Sequence, residues 1–275
     1  IDAFDEPFGD SSSLATLALA EFAAKAVVVA LSGDGGDEVF GGYKRYLYVK
    51  KFDSIEKIFS HTSKYLNKIP NLQDSIPIQI QRFMSNKYQD IHINRLYFKM
   101  IEQTHGSPLV DILKEEVKYA SNPVSQFYNL EMSRYGGLNS VQRANLFDLR
   151  HYLPDDLLHK VDISSMCHSL EVRSPFLDQN LVEFGSSLPD RERFTKSGKP
   201  LLKKYAEKYF PQEFIYRPKM GFGVPKLKWL RGILEDECRG VFLDPYSYIY
   251  TIFRFDELST FYKSFQESGA HQNII

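Results

Sequence analysis

The sequence has little of several features that define whole classes of proteins. Among its 275 residues only Cys167 and Cys238 are cysteines, which excludes a disulfide-rich scaffold and is typical of a reducing cytoplasm. No apolar stretch approaches the ~20 residues that a membrane-spanning helix needs. The first residues also lack the basic flank of a signal peptide. We therefore expect a globular, cytoplasmic protein.

An excess of charge of one sign is also missing. The chain has 34 lysines and arginines against 35 aspartates and glutamates, so its net charge is -1 at pH 7. Proteins that bind nucleic acid need a basic face against the phosphate backbone, so we do not expect nucleic acid as a partner. Aromatic residues are plentiful at 14%, and we interpret most of them as bulky core residues.

The most informative segment lies at residues 30–43, directly after the apolar run of residues 27–31. It packs five glycines and three carboxylates into ten residues. The apolar run predicts a buried strand, and the glycines predict a loop that leads into a helix near Gly42. A strand, a glycine-rich loop and a helix are typical of a phosphate-binding corner. Because carboxylates repel phosphate, we expect Mg²⁺ at this loop and basic side chains from elsewhere in the chain.

Two other interpretations of the acidic loop are a calcium site and a solvated turn. An EF-hand loop needs oxygen ligands at alternate positions, whereas Asp34 and Asp37 are three residues apart. A solvated turn rarely follows a fully buried strand. We favour a site in which backbone N–H groups around Ser32 and Gly33 contact a nucleotide, while Asp34 and Asp37 hold a metal or act as a base.

Two basic segments can supply the cations that this corner needs. Lys199 opens a predicted amphipathic helix over residues 199–210, from which a lysine can reach a phosphate as a point charge. Arg217 and Lys219 precede a glycine-containing loop that suits a phosphate-binding lid. The alternatives are an exposed helix start for the first segment and an ordinary surface loop for the second.

Most of the remaining chain has a helical pattern. Residues 10–13 can cap a helix through residues 14–22. The helical pattern then continues, with breaks at prolines and glycines, to about residue 150, and a further helical stretch opens at Tyr152 and stops at Pro175. Residues 27–31 form the one strand that we predict. A single strand cannot bury its edges alone, so either further strands of this chain escape recognition or partner strands lie outside it, and we favour the second.

Taken together, these segments resemble the synthetase domain of the glutamine-hydrolysing asparagine synthetases. The resemblance implies an α/β, predominantly helical fold: a partial adenine-nucleotide alpha-hydrolase-like core of the PP-loop ATP pyrophosphatase type, with a large helical extension. The β-lactam synthetases share the domain and are narrower relatives. The matching pieces follow the order of the family and cover most of the chain, at residues 5–12, 31–38, 152–158, 160–162, 165–166, 169–178 and 198–199.

The resemblance also implies a reaction. Family members activate the side-chain carboxylate of aspartate with Mg-ATP and form aspartyl-AMP and pyrophosphate. Ammonia from a separate glutaminase domain then attacks the acyl-adenylate. We therefore expect an ATP-dependent amide ligase that uses ATP and Mg²⁺ as cofactors and takes aspartate and glutamine-derived ammonia as partners. A homodimer is left open.

Position by position, the resemblance implies a role for each candidate residue. Ser32 and Gly33 match residues that contact the adenylate. Asp34 matches an acidic residue, often glutamate, that forms or uses the intermediate, and one such role is a base for the incoming ammonia. Asp37 matches an aspartate of the Mg²⁺ or pyrophosphate site. Lys199 matches the lysine that stabilises the pentavalent phosphorus and the pyrophosphate.

The sequence also departs from the family pattern. The family's pyrophosphate loop, Ser-Gly-Gly-x-Asp-Ser after a strand, and the glutaminase domain with its N-terminal cysteine do not occur in it. We expect residues 1–275 to form an asparagine synthetase domain truncated at both ends, with little or no activity by itself. Two alternatives are an amidotransferase for another carboxylate, such as a sugar acid in polysaccharide synthesis, and a non-catalytic partner subunit. Intact Asp34, Asp37 and Lys199 argue against the second.

Overall fold

A computed structural model describes residues 3–51, 97, 101, 112–120, 122–218 and 221–268. Contacts divide the chain into two compact units. The first comprises Ile1–Met100 and Glu131–Met220, and the second comprises Ile101–Leu130 and Gly221–Ile275. Every candidate site residue that the structure describes belongs to the first unit. Lys219 lies outside the described residues.

Helices account for most of the described chain, as the sequence predicts. The helices within residues 115–120 and 226–268 belong to the second unit, and the helix over residues 122–134 crosses the unit boundary after residue 130. The elements are α1 (Ser12–Ala24), β1 (Val29–Leu31), α2 (Gly36–Phe40), a helical segment at residues 44–51, α3 (Glu115–Ala120), α4 (Asn122–Arg134), α5 (Ser140–Phe147), a π-helix (Asp148–Leu158), α6 (His159–Met166), β2 (Glu171–Arg173), a 3₁₀ turn (Pro175–Leu177), α7 (Gln179–Ser187), α8 (Asp190–Arg193), α9 (Pro200–Ala206), α10 (Gln212–Ile215), α11 (Lys226–Leu230), α12 (Glu235–Phe242), a second 3₁₀ turn (Tyr248–Thr251) and α13 (Phe255–Ser268).

The sheet of the first unit consists of two parallel strands in the described part of the chain. Strand β1 pairs with β2 in a register that places Val29 opposite Glu171 and Leu31 opposite Arg173. The strand predicted in the apolar run is therefore present, but β2 was missed because two charged residues flank its one valine. Parallel pairing brings the carboxyl ends of both strands to the same edge.

The expectation that β1 is buried is wrong. Val28, just before the strand, is 77% exposed, and Leu31 at its end is 73% exposed. Parallel sheets bury their strands when helices cover both faces and further strands pair with the edges. In the described residues β1 has one strand neighbour, so its aliphatic side chains stay accessible.

Helix α1 packs against α6, and its first turn is capped from outside the helix. The backbone N–H of Ser12 donates to Asp10 Oδ1 at 2.9 Å. The buried ammonium group of Lys160 in α6 donates to Asp10 Oδ2 and, at 2.8 Å, to Ser12 Oγ. One carboxylate thus satisfies an orphan N–H group of the helix and a buried lysine.

A continuous helical run joins α5, the π-helix and α6. It begins with a capping box in which Gln142 N donates to Asn139 Oδ1 at 3.0 Å. We expected a new helix to open at Tyr152, but Tyr152 and Pro154 lie inside the π-helix, which continues directly into α6. The wider π-helical turn holds the proline without ending the helix.

The second unit is built around α13, which has a clear amphipathic pattern. Leu258, Tyr262 and Phe265 recur at helical spacing and are all less than 8% exposed. An antiparallel bridge joins Leu113 to Phe253 in the same unit. Within the described residues, no helix has the length and apolar character to cross a membrane.

Candidate active site

The glycine-rich corner begins where β1 and β2 end side by side. The backbone N–H of Ser32 donates to the carbonyl oxygen of Arg173 at 2.8 Å. The hydroxyl oxygens of Ser32 and Ser174 lie 2.9 Å apart. The backbone N–H of Asp34 also points at Ser32 Oγ, at 3.4 Å. Ser32 is therefore held at the carboxyl edge of the sheet, where α/β folds place their ligands.

The glycines that follow form a short helix rather than an open loop. Helix α2 has Gly35 at its N-cap and Gly41 at its C-cap, both with left-handed backbone conformations. The next helical segment starts at residue 44, so the helix that we expected near Gly42 begins two residues later. Glycine spacing alone did not reveal α2, which carries Asp37 on its first turn.

Asp37 and Lys199 form the central ion pair of the site. Lys199 Nζ lies 3.1 Å from Asp37 Oδ1, and the two side chains are 34% and 20% exposed. Lys199 adopts a left-handed conformation with φ of 49°, directly after Gly198 with φ of 60°, at the N-cap of α9. Gly42 makes room for the carboxylate, since a Cβ there would lie 1.7 Å from Asp37 Oδ1.

The other described candidates, Asp34 and Arg217, are not joined to the Asp37–Lys199 pair by an ion pair. The Asp34 side chain is half-buried, and no described residue forms an ion pair with it. Arg217 is exposed, and its guanidinium lies 4.6 Å from the ring centroid of Phe214. The described part of the chain contains no ion pair between Arg217 and an acidic residue of the corner. The expected helix over residues 199–210 is shorter than predicted, because α9 ends at Ala206.

Glu38 is a buried residue of the corner that sequence reasoning did not assign. It is 1% exposed, and its Oε1 accepts a hydrogen bond of 2.5 Å from the hydroxyl of Tyr43. Burial raises the pKa of the Glu38 carboxyl, and the nearby Asp37 charge acts in the same direction. Its carbonyl oxygen accepts hydrogen bonds from Asn145 at 2.7 Å and Arg193 at 3.3 Å. No local spacing could reveal these partners, which lie more than a hundred residues away.

Behind α2, a buried cluster centres on Asp148. Its Oδ2 accepts hydrogen bonds from Arg45 at 2.8 Å, from Tyr46 at 2.6 Å and from Tyr97. Burial raises the pKa of Asp148 although Arg45 opposes this. The Arg45 guanidinium also lies 3.9 Å from the ring centroid of Tyr43, the residue that donates to Glu38. Through Arg45 and Tyr43, the cluster therefore connects Glu38 of α2 to the buried Asp148.

The carboxylates of the site do not form a preassembled metal cage. In the described ranges, no group of three or more histidine, cysteine, aspartate or glutamate residues converges on one point. Mg²⁺ is commonly bound by one or two carboxylates together with substrate phosphates. Asp37, beside a lysine and partly open to solvent, fits this pattern.

Comparison with known proteins decides the family. The asparagine synthase family model matches residues 1–273. The chain belongs to the asparagine synthase family. The family lies within the PP-loop ATP pyrophosphatase superfamily, so the helix-rich α/β fold that we expected is confirmed.

Curated relatives agree with the family. The glutamine-hydrolyzing asparagine synthetase 1 of Bacillus subtilis is 32% identical over 242 residues, which are 86% of this chain and 37% of that protein. Synthetase 3 of the same organism is 26% identical over 217 residues, 77% of this chain and 29% of the relative. The synthetase of Cricetulus griseus is 38% identical over 93 residues, 31% of this chain and 16% of its own. The chain thus spans about a third of the length of the first of these relatives.

Proposed function

We propose that the protein is an ATP-dependent amide ligase that converts the side-chain carboxylate of aspartate to the amide. The observation that carries this proposal is the 3.1 Å contact between Lys199 Nζ and Asp37 Oδ1. It places a cation beside a carboxylate at a glycine-rich strand end, as a magnesium-bound polyphosphate requires. The family and the names of the relatives support the same reaction.

The reaction has two steps. A carboxylate oxygen of aspartate attacks the α-phosphorus of ATP, the bond to the bridging oxygen breaks, and pyrophosphate leaves. The nitrogen of ammonia then attacks the acyl carbon of the aspartyl-AMP, and the bond to the AMP oxygen breaks. Carboxylate alone is a poor acyl donor, and adenylation supplies AMP as the leaving group.

In the first step, negative charge builds up on the departing pyrophosphate. Lys199 is the residue that we assign to its stabilisation, because its ammonium group is already held at the corner by Asp37. Asp37 is the residue that would hold Mg²⁺, which would neutralise further phosphate charge. Ser32 and Gly33 lie at the carboxyl edge of the sheet, where the adenylate would contact the chain.

In the second step, the nitrogen that attacks must lose a proton. Asp34 is half-buried, and the absence of an ion pair with any described residue leaves its carboxylate available as the base. Arg217, and Lys219 outside the described residues, are candidates for contacts to phosphate or for closing over the site. Ammonia would come from glutamine through a glutaminase domain, as the relatives' names imply.

Exchange of radioactive pyrophosphate into ATP by the whole protein tests the first step. We expect exchange that depends on both Mg²⁺ and aspartate. Glutamate and a uronic acid serve as alternative carboxylates in parallel reactions. Exchange with the uronic acid but not with aspartate would replace the substrate in this proposal, and no exchange with any carboxylate would refute the adenylation.

A further inference from the structure

We propose that Arg193 is a positioning residue, assisted by Asn145, that sets the distance between Asp37 and Lys199. The Arg193 side chain has no candidate role in contacting substrate. It lies at the end of α8, and the residue as a whole is 4% exposed. The inference rests on the proposed function only for its activity readout, since the distance itself is a property of the protein.

The first observation is the clamp on the backbone of α2. The terminal nitrogen of Arg193 donates to Asn145 Oδ1 at 2.6 Å and to the carbonyl oxygen of Glu38 at 3.3 Å. Asn145 Nδ2 donates to the same carbonyl at 2.7 Å. Two side chains from distant helices thus converge on one carbonyl of α2, in the residue that follows Asp37.

The second observation joins Arg193 to the segment that carries Lys199. Arg193 precedes Lys199 by only six residues, and its own backbone packs against the end of α2. A Cβ on Gly41 would lie 2.5 Å from the carbonyl oxygen of Arg193. A Cβ on Gly198 would lie 3.1 Å from the carbonyl oxygen of Gly42. The two segments that bear the ion pair therefore touch along their backbones. The Arg193 side chain donates a hydrogen bond across this contact, to the Glu38 carbonyl.

The third observation is that a buried arginine lowers the stability of the fold more than a purely structural contact at this position would require. Burial lowers the pKa of its guanidinium although the Asp190 charge opposes this, and no described carboxylate lies close enough to form an ion pair with it. Its Nε atom is also buried without a hydrogen-bond partner. A buried charge without a counter-ion destabilises a fold, and an apolar residue of similar volume often costs less. A requirement for position explains why a charged donor that joins the Glu38 carbonyl to Asn145 stands here.

The experiment compares Arg193→Met, Arg193→Lys and Asn145→Asp in the whole protein. Arg191→Met is the matched control, because Arg191 lies on the same helix with its side chain 83% exposed. We expect Arg193→Met to lower kcat for ATP–pyrophosphate exchange by about 100-fold, as displacement of catalytic groups by about 1 Å does. The KM for ATP and the melting temperature should change little. Arg193→Lys should recover part of the rate, since its ammonium group has donors for both acceptors but lies on a shorter side chain.

Two further measurements separate positioning from a merely structural role. In a Lys199→Met background, adding Arg193→Met should cost almost nothing more, because the pair that it positions is already broken. A crystal structure of Arg193→Met should show Lys199 Nζ beyond hydrogen-bond reach of Asp37. This distance can be measured even where the wild type shows no exchange. A failure of the proposed function can therefore be told apart from a failure of the positioning role.

An unchanged kcat in Arg193→Met would overturn the inference, as would additive losses in the double variant. A native Asp37–Lys199 distance in the crystal structure of Arg193→Met would also overturn it. Where Arg193→Met does not fold, Asn145→Asp decides the matter, because it keeps a partner for Arg193 and removes one donor from the Glu38 carbonyl. A normal kcat in that variant would refute the clamp.

Discussion

Lys199 Nζ lies 3.1 Å from Asp37 Oδ1, although the two residues belong to segments far apart in the sequence. Both side chains are partly exposed, and such ion pairs contribute only ~0–1 kcal/mol to stability. The left-handed backbone at Lys199 and the close approach of Gly42 to Asp37 both cost free energy of folding, and so weak a contact does not offset that cost. The contact is better explained by chemistry at a polyphosphate.

Replacement of Lys199 by methionine should abolish most of the adenylation. The loss of one preorganised charge opposite the departing pyrophosphate is expected to lower ATP–pyrophosphate exchange by about 100- to 1,000-fold. The melting temperature should stay within a few degrees, because the Asp37–Lys199 pair contributes little to stability. Lys204→Met, an exposed lysine on the same helix, is the matched control and should keep wild-type exchange. A variant with full exchange would remove Lys199 from the mechanism.

Replacement of Asp34 by asparagine should separate the two steps. If Asp34 takes the proton from ammonia, Asp34→Asn lowers amide formation by about 100-fold or more and leaves ATP–pyrophosphate exchange nearly unchanged. The two rates are measured on the same preparation, with ammonium chloride in place of glutamine to bypass the glutaminase step. Equal losses in both rates would assign Asp34 to adenylation instead.

The sequence and the structure agree on the features that depend on short segments. The apolar run at residues 27–31 predicted β1, and the glycines with their carboxylates predicted the corner. Strand β2 was invisible because its residues are recognisable as a strand only beside β1. Its polar composition, Glu171 and Arg173 around one valine, has no strand pattern of its own.

The support of the corner could not be predicted for a similar reason. Asn145 and Arg193 meet the Glu38 carbonyl through tertiary packing, across 107 and 155 residues of sequence. A lone asparagine and a lone arginine in helical segments are usually surface residues, so neither has a local signal. Residue types and spacing reveal the groups that carry chemistry, whereas the groups that position them depend on the packed fold.

Replacement of Asp148 by alanine should destabilise the fold strongly. It removes the acceptor of Arg45, Tyr46 and Tyr97 and leaves the largely buried guanidinium without its counter-ion. Breaking such a buried pair costs about 3–5 kcal/mol. Urea unfolding checks this, with Asp162→Ala as the control, because Asp162 is exposed on the adjoining helix. Equal midpoints for the two variants would contradict the structural role.

Stability contributed by Asp10 should disappear in acid. Burial alone would raise the pKa of Asp10, but hydrogen bonds from Lys160 and Ser12 lower it below its ordinary 3.8. A lowered folded-state pKa means that the carboxylate stabilises the fold above pH 3.8 and loses this effect as pH falls through the folded-state value. Asp10→Asn should therefore lower the free energy of unfolding at neutral pH. The loss should be less than the ~3–5 kcal/mol of a fully buried pair, because the Asp156 charge also acts on Lys160.

Urea unfolding of Asp10→Asn and the wild type, at neutral pH and at about pH 3, should show that this deficit in stability shrinks in acid. Glu21→Gln, exposed on α1, should show no comparable change, and a deficit equal at both pH values would contradict the linkage.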